Sequence, residues 1–295
     1  MTYPRTIVAA TDFSDNATHA VLQAAHLARS WHARLVLLHV FNDSVWRNLG
    51  AIHDWSDWTS RKPIEIARTR IEQLGERLAS EYAIQVWPEV RVGRASQQII
   101  EVIASTHAEL LVVGEHGENW IKEVMLGGTA LKVLEESDIP VLLVRNKAHD
   151  SYRDIVVATD FSQSAERATR MSLACFPDAR LVLIHAWIVP FEASMRMGGA
   201  QDDDIERYRK SEFDIAFRQM EKFVYQCLAD DGTVLLERLV LHGLPESAVF
   251  QQVHARSSDL IVVGKHSGRN LDERLLGSVT QNILYRAECD VLLVP

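Results

Sequence analysis

The amino-acid sequence repeats itself, and this constrains the fold more than any other feature. Residues 7–17 read IVAATDFSDNA and residues 155–165 read IVVATDFSQSA. Four further matches follow in the same order, with an offset held between 146 and 150 residues: 35–40 with 181–186, 110–117 with 260–268, 124–134 with 274–284, and 138–144 with 289–294. Ordered matches at a nearly constant offset indicate a duplicated domain. We therefore expect two domains, at residues 1–147 and 152–295, with their boundary in the short polar run Arg145–Tyr152.

The bulk composition excludes several classes of protein. A length of 295 residues fits two domains of about 150 residues each. A net charge of −9 disfavours a nucleic-acid-binding protein, which needs a basic face. No apolar run approaches the roughly 20 residues of a membrane helix, and three widely spaced cysteines form neither a disulfide framework nor a CxxC metal clip. We expect a soluble cytoplasmic protein that binds neither nucleic acid nor membrane.

Short β-branched apolar runs alternate with segments of helical periodicity in each copy. In the first copy the predicted strands are 5–11, 34–40, 85–91, 110–114 and 140–145. Strands that are apolar on both faces and separated by helices predict an α/β fold with a parallel sheet. Five such units favour two flavodoxin-like domains, each with strand order 3-2-1-4-5 and helices on both faces. The last strands, Val141–Val144 and Val291–Val294, would be exposed edges, so we expect them to pair and to relate the domains by a pseudo-two-fold axis.

The topology alone predicts where a ligand binds. In an open parallel sheet the ligand lies beyond the carboxyl ends of the strands, where the strand order reverses, here between strands 1 and 4. Distinctive residues follow these strands in both copies: Ala10-Thr11-Asp12 and Ala158-Thr159-Asp160 after strand 1, and Gly114 and Gly264 after strand 4. Each aspartate could accept hydrogen bonds from a ribose or an adenine amine, or could cap the next helix, with Ser14 and Ser162 as rival caps.

A glycine-rich loop follows strand 4 in each copy. The residues in question are Gly264, His266, Gly268, Gly277, Ser278, Val279 and Thr280 in the second copy, and Gly114, His116, Gly117, Gly127, Gly128 and Thr129 in the first. Glycines let backbone amides approach an anion, and the amides at a helix start favour phosphate. Ser278 or Thr129 could add a donor to the phosphate or could serve only as a helix cap.

These segments together resemble the universal stress protein family. The resemblance rests on IVxATDFS, the second strand LVLxHV, and VVGxHG followed by LGS or GT before a helix, and it covers both halves. It implies a tandem universal stress protein that binds ATP with Mg²⁺, or another adenine nucleotide, and acts in stress adaptation. On this resemblance Asp12 and Asp160 would face adenine and ribose, Val40 and Ala186 would flank the base beside Ala10 and Ala158, and the glycine loops would hold the phosphates.

Neither copy keeps the family's Gly-x2-Gly-x9-Gly-Ser/Thr motif whole. The first copy has Gly128 where serine or threonine belongs, and the second has Ser267 at the second glycine. Between the outer glycines the net charge is −2 in the first copy and +1 in the second. A triphosphate carries about four negative charges, and each nearby unit charge contributes on the order of 1 kcal/mol. We therefore expect the second domain to be the better nucleotide site.

Other features leave alternatives open. His39 and His185, which end strand 2, could contact the ligand or stabilise a loop. The long segments 41–62 and 187–204 could cover a small apolar ligand, contact a protein partner or simply pack on the sheet.

No Walker loop or nucleophile elbow is present in the sequence, so we expect no catalytic residues and no enzyme activity beyond slow ATP hydrolysis. The histidines and cysteines do not have the spacing of metal ligands. The alternative function is that of a ligand-independent interaction scaffold. Whether two chains also pair into a homodimer is left open.

Overall fold

The computed structural model describes residues 3–42, 61–115, 126–189, 192–228, 236–265 and 276–295. Chain contacts divide the protein into two compact units. The first unit runs to Ser151 and takes in Glu288–Leu293, and the second comprises Tyr152–Ala287 with Val294–Pro295.

The described elements alternate strand and helix through each half. The strands are β1 (Thr6–Thr11), β2 (Arg34–Phe41), β3 (Val86–Val92), β4 (Leu110–Gly114), β5 (Val141–Val144), β6 (Asp154–Ala158), β7 (Arg180–Trp187), β8 (Leu236–His242), β9 (Leu260–Gly264) and β10 (Asp290–Val294). The helices are α1 (Asp15–Trp31), α2 (Arg61–Tyr82), α3 (Ala95–Thr106), α4 (Gly128–Glu136), α5 (Gln163–Cys175), α6 (Glu192–Met197), α7 (Asp202–Cys227), α8 (Pro245–Arg256) and α9 (Ser278–Arg286).

The first half has the strand order β3-β2-β1-β4-β5, and its pairs are parallel. The order 3-2-1-4-5 predicted from the alternation of strands and helices is confirmed here. In the register, Ile7 lies opposite Leu35 on one side and Leu110 on the other. The interior strand β4 is buried over its first four residues, which matches the uninterrupted apolar run that predicted it.

The first unit also contains an antiparallel pair. Leu292 of β10 lies opposite Leu142 of β5, and Val291 lies opposite Leu143. The predicted pairing of the two last strands is confirmed, and both strands are completely buried. Pairing removes the unsatisfied backbone groups that an exposed edge strand would carry.

The second half repeats the order with β8-β7-β6-β9 in parallel pairs. The fifth position belongs to β10, because the carbonyl oxygen of Val294 accepts a 2.7 Å hydrogen bond from the amide of Lys265, just after β9. The α/β fold with two flavodoxin-like halves is therefore as predicted.

The segment 187–204 makes side-chain contacts within itself and with α7. Trp187 ends β7 and packs on Phe213 of α7, with ring centroids 6.1 Å apart. The carboxylate of Glu192, in α6, accepts hydrogen bonds from the guanidinium groups of Arg196 and Arg209. These contacts join the segment to α7, and its role as a ligand cover, partner surface or packing element stays a prediction. Most of the segment 41–62 lies outside the described residues.

Candidate functional site

Two candidate sites have the same construction. The first site comprises the carboxyl ends of β1, β2 and β4 with the start of α4, and the second comprises those of β6, β7 and β9 with the start of α9. In each half the strand order reverses between the first and fourth strands, so this edge is where a ligand of such a sheet binds. His116, Gly117, His266 and Gly268, predicted to line the phosphates, lie outside the described residues.

The hydrogen bonds of the loop after β1 show which residue caps α1. The Oγ of Ser14 accepts from the amide of Ala17, so Ser14 is the cap of α1. Asp12 instead accepts from the amide and hydroxyl of Ser14, at 3.0 and 2.6 Å. The carboxylate of Asp12 therefore stabilises the loop next to the cap, and its contact with ribose or adenine stays a prediction.

The second site has the same loop. The Oγ of Ser162 accepts from the amide of Ala165 at 3.2 Å, and Asp160 accepts from the amide of Ser162 at 3.0 Å. Asp160 is exposed, whereas Asp12 is only partly exposed. The exposed carboxylate leaves the second loop more accessible to a ligand.

A strained phenylalanine follows each aspartate, a feature that the sequence analysis missed. Phe13 and Phe161 have φ angles of 66° and 63°, in the left-handed region that non-glycine residues rarely adopt. Each phenylalanine amide donates to the hydroxyl of the preceding threonine, Thr11 or Thr159, at 3.0 Å. Both copies have the same turn conformation and the same sequence TDFS, so this turn is a structural feature of the repeated domain.

The histidine that ends the second strand stabilises this turn. The Nδ1 of His39 lies 2.8 Å from the carbonyl oxygen of Thr11, and that of His185 lies 2.9 Å from the carbonyl oxygen of Thr159. A carbonyl only accepts, so Nδ1 carries the proton. The ring of His185 also stacks on Phe161 with centroids 4.1 Å apart. Burial lowers the pKa of His185 below its ordinary value of 6.5, so the ring is neutral at pH 7. Of the two roles considered for these histidines, loop stabilisation is the one seen.

The residues predicted to flank an adenine lie at the expected edge. Ala10 and Val40 are partly exposed at the ends of β1 and β2, and Ala158 and Ala186 are partly exposed in the second half. Their small or branched apolar side chains leave an apolar surface beside the aspartate, which is suitable for a planar base.

The glycine after the fourth strand has a packing reason. A Cβ at Gly264 would lie 2.8 Å from the Cβ of Ser164 and 2.9 Å from the amide of Ala165, and one at Gly114 would lie 2.9 Å from the carbonyl oxygen of Asn16. These distances are closer than real Cβ atoms approach, so the first turn of α5 or α1 sits directly over the strand end. Only glycine permits this approach.

Gly277 and Gly127 cap the helices of the glycine loops, and neither contributes a side-chain cap. Ser278 is therefore the first helical residue of α9 and is not its cap, and its exposed hydroxyl makes no hydrogen bond within the described part of the chain. Within that same part, the amides of the first three residues of α9, Ser278, Val279 and Thr280, have no acceptor, nor do those of Gly128, Thr129 and Ala130 in α4. Unsatisfied amides and the positive end of the helix dipole favour an anion here.

The two sites differ in charge at one position. Glu115, after β4, forms an ion pair with Arg145, after β5, whose side chain is only 8% exposed. Burial lowers the pKa of Arg145, but its guanidinium stays charged, as arginine does in proteins. The second site has Lys265 at the matching position, 3% exposed. Counting Arg145 changes the net charge of the first site from −2 to −1. The difference in net charge between the two sites is therefore smaller than the loop sequences alone indicate.

The described residues hold no group of three or more histidine, cysteine, aspartate or glutamate side chains that could bind a metal ion. Among the described helices, none has the length and apolar character needed to cross a membrane.

Comparison with known proteins places these features in one family. The model of the universal stress protein family matches residues 4–145 and again 151–295. A universal stress protein from Mycolicibacterium smegmatis is 25% identical over 298 residues, covering 98% of this chain and 96% of that protein. Universal stress protein Rv2005c from Mycobacterium tuberculosis is 22% identical over 97% of this chain and 96% of its own length. The crystal structure of a universal stress protein from Archaeoglobus fulgidus superposes with a TM-score of 0.66 at 16% identity, covering 98% of each chain.

Proposed function

This chain belongs to the universal stress protein family, with both halves matched, and on that premise we propose that it is a stress-response protein that binds an adenine nucleotide, ATP with Mg²⁺. Nucleotide occupancy changes a contact with a protein partner. The chain acts by occupancy, without catalytic residues of its own.

The start of α9 carries this proposal. Three consecutive amides without acceptors in the described part of the chain adjoin an exposed serine hydroxyl, and all four groups are donors. A phosphate group presents oxygen acceptors only, so the donor set fits a phosphate. The partly exposed Ala158 and Ala186 and the exposed Asp160 lie at the same strand edge, where a base and ribose would bind.

The second site is the better one. It keeps Ser278 in register, whereas the first site has Gly128 there. It also has Lys265 where the first site has an ion pair. The additional hydroxyl donor favours phosphate binding in the second half, and so does a lysine in place of the carboxylate of Glu115.

Two matched variants test the proposal by isothermal titration with MgATP. Gly277→Asp and Gly127→Asp each place a carboxylate at a helix N-cap, where aspartate is a favourable capping residue, so both variants should fold. The carboxylate repels phosphate. We expect Gly277→Asp to abolish most binding and Gly127→Asp to leave most of it. Equal losses from the two variants would contradict the asymmetry.

A second measurement separates nucleotide binding from the scaffold function. The purified protein is denatured and its supernatant chromatographed for adenine nucleotide. Co-purified nucleotide, or a rise in Tm in millimolar MgATP, supports binding. A protein that is empty and shows no thermal shift would overturn the nucleotide proposal and leave a ligand-independent scaffold.

A further inference from the structure

A groove of about 250 Å³ lies on the first unit between α3 and α4. Its lining comes from these two helices and from Arg94, which precedes α3, and it includes no described residue of the nucleotide site. Pockets for drug-sized ligands measure roughly 300–1,000 Å³, so this groove fits a molecule of amino-acid size. The charged residues of its lining are Arg94, Glu101, Lys132 and Glu136.

The start of α3 offers hydrogen-bond donors to this groove. Ser96 lines the groove and is only 4% exposed, and its hydroxyl has no hydrogen-bond partner in the described part of the chain. A buried hydroxyl without a partner destabilises the protein unless a ligand or water satisfies it. The first helical bond runs from the amide of Gln98 to the carbonyl oxygen of Arg94, so the amides of Ala95, Ser96 and Gln97 also lack an acceptor among the described residues. This set of donors favours an anionic group.

Only two of the four charged side chains in the groove are free to pair with a ligand. The ammonium of Lys132 and the carboxylate of Glu136 form an ion pair at 3.7 Å, so they compensate each other. Arg94 is exposed, and its guanidinium makes no ion pair or hydrogen bond within the described residues. The carboxylate of Glu101 accepts from two glutamine amides at 3.1 and 2.8 Å, and these neutral donors leave its negative charge uncompensated. The groove therefore has one positive and one negative charge for a ligand.

These two charges lie at different heights along α3. Five residues separate Ser96 from Glu101, which is a rise of roughly 7.5 Å along the helix. The hydrogen bonds from Gln97 and Gln98 draw the carboxylate of Glu101 back toward the helix start. A ligand that reaches both charges must have its anionic and cationic groups several bonds apart.

We propose that this groove binds a small ω-amino acid. The carboxylate of the ligand lies at the start of α3, beside Arg94 and Ser96, and its ammonium pairs with Glu101. A carboxylate fits this end better than a phosphate does, because its single charge matches the single guanidinium.

The second copy lacks this site, which makes it an internal comparison. The residues matching Arg94, Ala95, Ser96 and Glu101 are Leu244, Pro245, Glu246 and Gln251. Proline has no amide hydrogen to donate, and a glutamate in the first turn of the helix repels a carboxylate. Phe250 replaces Ile100, and the guanidinium of Arg286 lies over its ring at 5.3 Å from the centroid. The second copy thus supplies side chains that the same fold accepts at these positions.

Three probes of the same length test the proposal on the intact protein. They are 5-aminopentanoate, pentanoate and pentylamine, and ligand-observed saturation-transfer NMR gives the affinity of each. Pentanoate and pentylamine each lose one charged contact, so we expect them to bind at least roughly tenfold more weakly than 5-aminopentanoate. MgATP should not displace 5-aminopentanoate, because the groove is separate from the nucleotide site.

Variants assign the two ends of the ligand. Arg94→Leu introduces the side chain of the second copy, and it should weaken 5-aminopentanoate roughly tenfold while leaving pentylamine unchanged. Glu101→Gln also follows the second copy, and it should weaken 5-aminopentanoate similarly while leaving pentanoate unchanged. Ser96→Ala should weaken the two carboxylate probes and not pentylamine.

Two controls make equivalent changes outside the groove. Glu76→Gln removes an exposed carboxylate on α2, and Ser247→Ala removes an exposed hydroxyl at the start of α8, so neither should change binding. Thermal unfolding checks that each variant is folded. The proposal is overturned if 5-aminopentanoate does not bind, if the three probes bind equally, or if MgATP displaces 5-aminopentanoate. Unchanged binding in both Arg94→Leu and Glu101→Gln would also overturn it.

Discussion

The hydroxyl of Thr280 donates a 2.9 Å hydrogen bond to the carbonyl oxygen of Gly264. Thr280 lies in the first turn of α9 and is 5% exposed, and Gly264 is the last residue of β9. The bond therefore fixes the start of the candidate phosphate-binding helix to the end of the strand. The first half has Ala130 at the matching position, so its helix start lacks this bond.

Thr280→Val should lower the free energy of unfolding by about 1 kcal/mol. Valine keeps the shape of threonine, but the buried carbonyl of Gly264 loses its side-chain donor. Urea denaturation measures the change. Thr129→Val is the control, because Thr129 is exposed and its hydroxyl makes no hydrogen bond among the described residues, and it should change stability by less than about 0.5 kcal/mol. Equal effects from the two variants would show that the Thr280 bond is not stabilising.

Gly264→Ala should destabilise the protein by about 1–3 kcal/mol, because the new methyl group would overlap the first turn of α5. The contacts are partly backbone and cannot rotate away. Gly128→Ala is the matched control, since a Cβ there meets no atom within 4 Å. The control should be neutral or slightly stabilising, since alanine is the better helix former. Thermal unfolding of both variants decides the matter, and a stable Gly264→Ala protein would refute the packing argument.

Gly264 also illustrates what sequence could and could not predict. Its position after the fourth strand was predictable, because a short apolar run and a glycine mark the strand and its end. Its packing role was not predictable from local pattern. The glycine meets Ser164 and Ala165, which are about one hundred residues away in the chain, and only the folded structure brings them together.

Arg145 makes the same point for charge. Counting charges between the outer glycines of the first loop includes Glu115 but not its partner, which lies after the next strand. Parallel strands that are neighbours in the sheet place their carboxyl ends together, so a charge from β5 belongs to the same site. A sequence-based estimate of site charge should therefore include residues that follow the adjacent strand.

Ser278→Ala should weaken MgATP binding without affecting stability. The hydroxyl is exposed and has no hydrogen-bond partner among the described residues, so its removal leaves no buried group unpaired. A hydrogen bond to a charged phosphate contributes about 1.5–3 kcal/mol, which corresponds to at least roughly tenfold in affinity. Isothermal titration and thermal unfolding together check both halves of the prediction. A variant with lower stability and unchanged affinity would assign Ser278 a purely structural role.

Gly128→Ser is the reciprocal change at the first site. The position has open space for the new side chain, and the hydroxyl would restore the donor that this half lacks. In a chain carrying Gly277→Asp, we expect nucleotide affinity to rise by a factor of several. Gly128→Ala, which adds a Cβ without a hydroxyl, is the comparison; if it produces the same gain, the effect belongs to the helix and not to the donor.

Cys175 and Cys227 should resist alkylation in the folded protein. Burial raises the pKa of Cys175 to about 12 and that of Cys227 to about 11, and the thiolate is the reactive form. At pH 8 iodoacetamide should label neither residue in buffer and both in urea, as read by mass spectrometry. Rapid labelling of Cys175 in the native protein would show that α5 opens readily.

The unfolding free energy should depend on His185 below neutral pH. Burial lowers the pKa of His185 in the folded protein from the ordinary value of 6.5. The unfolded chain therefore takes up a proton at a higher pH than the folded protein does, and protonation favours unfolding. The contribution of His185 is complete above about pH 6.5 and is lost as the pH falls from there through the lowered folded-state pKa. His185→Gln removes this titration, so the slope of the unfolding free energy against pH between 7.5 and 5 should become shallower. The lost stacking on Phe161 lowers the free energy of unfolding at every pH and does not change this slope. An unchanged slope in His185→Gln would mean that the ring remains accessible to protons in the folded turn.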